Sequence, residues 1–152
     1  MDPKGELAEL YDQDFYAWTQ RASELLRRGC FAEADIEHVA EEIEDMGKEK
    51  QHALKSQARR LMVHLLKWEA QPAMRSRSWR ATIVNARTEI ADILEENPSL
   101  QQMTAEVPGR IYGAALEEAM AETGLGRKRF PASCPYTFEQ LMDHRFPPPE
   151  AD

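Results

Sequence analysis

From Asp35 to Ala70 no proline interrupts the chain, and apolar residues recur there at steps of three and four. Ile36, Val39, Ile43 and Met46 form a heptad-like stripe. After "GKEKQH" the pattern resumes at Leu54, Ala58, Leu61, Leu65 and Trp68. That period belongs to a helix, because 3.6 residues per turn return every third or fourth side chain to one face. An isolated glycine costs a helix only about 1 kcal/mol, so Gly47 need not end it, and continuity is the favoured reading. A helix of roughly 35 residues is about 50 Å long, more than a small domain needs. A bend, a break or a partner chain is expected to accommodate it.

The rest of the chain reads the same way. Leu7, Tyr11, Phe15, Trp18, Ala22 and Leu25 predict a first helix over 4–28, stopped by Gly29. The short connection "CFAEA" folds the next helix back beside it, with Asp35 as its N-cap. Pro72 ends the long helix. Ser76 or Ser78 caps another, whose stripe runs through Trp79, Ile83, Ala86, Ile90 and Ile93 or Leu94. Asn97-Pro98 stops it and starts a short helix, with Asn97 as N-cap. Pro108 and Gly109 open a last substantial helix near 109–123, which Gly124 ends. "LGRKRFPASCPY" is a basic linker. Thr137 with Gln140 matches a capping box for a final short helix, and 147–152 reads as a frayed tail. Nothing alternates with period two. The expectation is an all-α fold: one domain over 1–152 with its core in about 5–146. It is a helical bundle of about four main helices plus short C-terminal ones.

Composition narrows the function classes. No apolar run reaches the roughly 18 residues of a membrane span. The N-terminus lacks a basic region followed by an apolar core, so no secretory signal is expected. Cys30 and Cys134 are far apart and form no CxxC, which points to reduced thiols in a cytoplasm. A pI near 5.1 argues against general nucleic-acid binding. The charge is uneven: segments 1–58, 59–87 and 88–152 carry −7, +6 and −7.

Four groups of residues could carry chemistry. In "RSRSWRATI", Arg75, Arg77 and Arg80 stand at the start of a helix, whose N-terminus is already partly positive. With Trp79, Lys67, His64 and Trp68 they could hold a phosphate or carboxylate. The structural reading is favoured, with the arginines paired to the acidic run containing Glu41, Glu42 and Glu44 and Trp79 heading a buried stripe. His64, on an apolar face, reads as a core histidine bonded to a carbonyl or carboxylate. His38, Asp45, Glu49 and His52 lie along one helix face, and Glu49-x-x-His52 has the form used in di-metal bundles. No second Glu-x-x-His exists, so a solvated charged face is favoured over a metal site. Cys134 is followed by Pro135, with no histidine placed to activate it. No nucleophile elbow, Walker loop, GxGxxG or HExxH is present. These absences lean away from an enzyme, and no cofactor is expected.

"YDQDFYAWTQRASELLRRG", "DIEHVAEEIEDMGKEK", "LMVHLLKWEAQP", "RSRSWRATI" and "CPYTFEQLMD" occur in this order over about residues 10–146. In them the chain resembles the bacterial helical family catalogued as domain of unknown function 29. The resemblance implies a small, helical, cytoplasmic protein without an assigned activity. It places family motifs on Glu41, Glu42 and Glu44, on His64 to Trp68 and on Arg75 to Arg80. The leading functional expectation is a non-enzymatic bundle that binds a protein partner or itself. Anion, phosphate or nucleic-acid binding at the arginine turn is the alternative. A metal-dependent enzyme using Glu49 and His52 comes last.

Overall fold

Asp14 breaks the first predicted helix in two. In the computed structural model, which describes residues 2–147, α1 spans Pro3–Gln13 and α2 spans Phe15–Arg27. Asp14 leaves the helical region at φ −150°, ψ 86°, its N–H bonds back to Leu10 O, and its carboxylate accepts from Ala17 N at 3.0 Å. A short acidic side chain that satisfies a helix start competes with helix continuation, and here it prevails. Leu7, Tyr11, Phe15 and Trp18 keep four- and three-residue spacing across the corner, so periodicity could not reveal it.

The chain divides into two compact units, Met1–Glu49 and Lys50–Asp152. In the first, α1 and α2 bury Leu7, Trp18, Ala22 and Leu25 together with Ala34, and Tyr11, Cys30 and Val39 pack at the rim. Gly29, at φ 73°, closes α2: its N–H and that of Cys30 bond to Leu26 O and Leu25 O.

Helix α3 runs unbroken from Ile36 to Ala70, as the uninterrupted pattern predicted. Its later part, with Leu54, Leu61, Met62, Leu65 and Leu66, is the spine of the second core. Ser76 caps α4 (Arg77–Glu96), accepting from Trp79 N at 3.2 Å, and α4 adds Ile83, Ala86, Ile90 and Leu94. α5 (Val107–Thr123) adds Ile111, Tyr112, Ala115 and Ala119. The predicted capping box closes α6 (Phe138–Leu141), which buries Leu141. Among the described residues there is no strand. The expected tail falls almost wholly outside them.

Between α4 and α5 the segment Pro98–Glu106 is a 3-10 helix. Asn97 makes no N-cap bond there; its side-chain amide donates to Ile93 O at 2.9 Å and so finishes α4. Helix ends leave carbonyls needing donors, and Asn97 serves that end.

Candidate functional site

The basic segment is drawn together around two tryptophans of the second unit. Trp68, 3% exposed at the end of α3, has the guanidinium carbons of Arg75 and Arg80 at 5.1 and 4.8 Å from its ring centroid. Arg75 Nε also donates to Trp68 O at 2.8 Å, and Arg80 donates to Pro147 O. Both cations are therefore engaged by an aromatic face and by carbonyls of their own unit, a favourable arrangement because the indole face is electron-rich. Lys67 Nζ sits 4.6 Å from the Trp79 ring centroid and 2.7 Å from Glu122 Oε2. Arg77 points outward and has no hydrogen-bond or ion-pair partner among the described residues.

The partners shown for Arg75 and Arg80 within the second unit are Trp68 and carbonyl oxygens. An indole seven to twelve residues away engages them without a carboxylate having to be desolvated. Trp79 is half-buried, packed against the second core and covered by Lys67. His64 is half-buried: its Nδ1 meets Arg60 O at 2.9 Å, and burial lowers its pKa.

Sequence reasoning missed Arg87. It is 3% exposed, and its Nε and Nη2 donate to Leu141 O at 2.8 Å and to Phe146 O. Its partners are backbone carbonyls more than fifty positions away, so no local pattern signals them.

In the first unit the polar stripe of α3 is organised by Asp35. This residue is 3% exposed and holds a φ of 53°, uncommon outside glycine. It occupies the N-cap place, since Val39 N bonds to its carbonyl, but its carboxylate serves side chains. Oδ2 accepts from Trp18 Nε1 at 3.1 Å and meets His38 Nδ1 at 2.6 Å. The imidazole stacks on Tyr11, ring centroids 3.9 Å apart, and the Tyr11 hydroxyl donates to Glu42. The sequence had set His38 beside Asp45, Glu49 and His52 as a remote ligand set. In the structure His38 is taken by Asp35, Asp45 pairs with Lys48 at 3.6 Å, and Glu49 and His52 are exposed. Among the described residues no group of three or more His, Cys, Asp or Glu is placed to hold a metal ion.

The hydrogen bond that His38 makes to the Asp35 carboxylate raises its pKa. A base held above its unfolded value of about 6.5 stabilises the fold below that pH, and the contribution is lost as pH rises through the folded pKa. His64 has the opposite sign: its depressed pKa removes stability as pH falls below about 6.5. The thermal midpoint of Asp35→Asn should therefore fall further below wild type at pH 5.5 than at pH 9, and NMR titration should return the His38 pKa toward its ordinary value. An unchanged His38 titration would contradict the link.

A cleft of about 530 Å³ in the second unit is lined by Thr104, Pro108, Gly109, Cys134, Tyr136 and Phe138 among others. No histidine, lysine or arginine lines it. Cys134 Sγ lies 3.3 Å from Tyr136 O.

The remaining feature is apolar and exposed. Among the described residues, the large hydrophobic side chains that face solvent are Phe15, Tyr16, Phe31, Ile36, Ile43 and Met46 in the first unit and Met74 and Val84 in the second. Ile36, Ile43 and Met46 are 47%, 63% and 65% exposed. At seven- and three-residue spacing they fall within about 80° on the surface of α3. From Leu54 to Trp68 the apolar residues of the same helix are buried.

A family model described as "Domain of unknown function DUF29" matches residues 10–147. The chain belongs to the DUF29 family. No curated protein and no solved structure matches it. The DUF29 match takes in the Trp68 cluster, Arg87 with its carbonyl partners, the Asp35 hub and the exposed face of α3. Among the described residues of this DUF29 chain, no helix is long and apolar enough to cross a membrane.

Proposed function

We propose that this chain is a non-enzymatic, cytoplasmic interaction module, and that it docks a protein partner on the exposed face of α3 in the first unit. The observation that carries the reading is the solvent-facing stripe Ile36, Ile43 and Met46, with Phe15, Tyr16 and Phe31 exposed in the same unit. Single exposed apolar residues are ordinary; helically spaced ones in one small unit resemble the anchors of a helix-in-groove contact. Anion binding at the arginine turn has less support, because Arg75 and Arg80 are engaged by Trp68 and carbonyls.

Residues that serve binding rather than folding can be changed without harming the fold. Ile43→Glu with Met46→Glu should shift stability by about 0.5 kcal/mol per site or less, as surface substitutions do. The same pair should abolish complexes seen by size exclusion of the freshly lysed host. A loss of several kcal/mol would show that both side chains belong to the folded core and would remove the reading.

A further inference from the structure

Gly47 stands inside α3, where glycine costs a helix about 1 kcal/mol against alanine, and nothing in the chain's own packing requires it. A Cβ built there would meet nothing within 4 Å. Ala40 lies seven residues earlier on the same line, beside Ile36 and Ile43. The exposed stripe thus has a shallow edge of small residues, the form that lets another backbone come close. Around it the surface is acidic. Residues 2–49 hold 14 acidic and 5 basic side chains. Glu37, Glu41, Glu44 and Glu49 have no ion-pair partner among the described residues. Glu42 and Glu49 border the stripe on one side, Glu37 and Glu44 on the other.

We infer that the occupant of this face is a basic amphipathic helix from another protein, whose apolar side lies on Ile36, Ile43 and Met46 and whose backbone crosses closest at Gly47. This rests on the interaction reading above. A second copy would bring the same unpaired carboxylates against this face, and like charges across an interface are unfavourable. Lysines or arginines flanking an apolar helix face would pair with them.

The test uses the full chain and two synthetic 18-residue helices, one of leucine and lysine and one of leucine and glutamate with the same pattern. Light scattering of the free chain comes first. The lysine peptide should bind, more weakly as salt rises, and the glutamate peptide should not. Ile43→Ser should weaken binding at least tenfold. Gly47→Leu should do the same while raising the thermal midpoint, a combination that loss of folding cannot produce. Equal binding to wild type, Ile43→Ser and Gly47→Leu would reveal general charge attraction and overturn the inference. So would a dimer of the free chain that Ile43→Ser dissolves, since the face would then belong to a second copy. If neither peptide binds but cross-links from position 43 to another protein are found, the basic-helix inference fails and the interaction reading stands; failure of both removes both.

Discussion

Trp68→Ala is expected to destabilise the second unit by about 3–5 kcal/mol, the range for removing a large aromatic from a packed core. Trp68 is buried against the Leu61–Leu66 spine and also carries the two guanidinium contacts from Arg75 and Arg80. Each contact contributes on the order of 0.5–2 kcal/mol according to how far it is desolvated. Such a loss is a large share of the 5–15 kcal/mol that ordinarily separates folded from unfolded states. Urea unfolding followed by circular dichroism measures it. Trp68→Phe should recover more of the loss than Trp68→Leu, because phenylalanine keeps an electron-rich face for the arginines. Equal recovery by the two would show that the cations contribute nothing at this site.

Arg87→Met should cost about 3 kcal/mol. It leaves Leu141 O and Phe146 O without their donor, and a hydrogen bond from a charged group is typically worth about 1.5–3 kcal/mol. Methionine fills much of the same volume, so the effect isolates the lost bonds from an empty space. Arg87→Lys should rescue only in part, since one ammonium cannot reproduce a planar fork aimed at two carbonyls. Amide hydrogen exchange gives the local signature: faster exchange at Leu141 and Met142, whose N–H groups close α6, and at Phe146, whose N–H closes the turn that follows, with α5 little changed. Uniformly faster exchange in both segments would mean that Arg87 supports the core as a whole rather than the C-terminal strap.

These two residues also show how far the sequence could be read. Helix positions followed from periodicity and caps: the unbroken α3, Ser76, Gly124 and the Thr137–Gln140 box all rest on interactions within a few residues, which is where sequence is most informative. The corner at Asp14 escaped because it preserves the apolar spacing on both sides. Arg87 escaped because its acceptors are distant carbonyls, which any residue could supply. The arginine turn was legible as basic, but the contacts of Arg75 and Arg80 with Trp68 were not, since a count of charges cannot see an aromatic face. Ile36, Ile43 and Met46 were legible as a stripe, yet a stripe looks the same whether its cover comes from its own chain or from another. Only their exposure in the structure separates the two cases.

The central claim is that the exposed face of α3 in the first unit is covered by another protein. The most direct measurement places a photo-crosslinking amino acid at Ile43, at Met46 and, as an exposed control on α4, at Asp92, in the chain expressed in its own host. The account predicts a discrete adduct of the same mass from positions 43 and 46, none from 92, and loss of the position 43 adduct when Met46→Glu is added. Adducts of equal yield at all three positions, or none at 43 and 46, would contradict it.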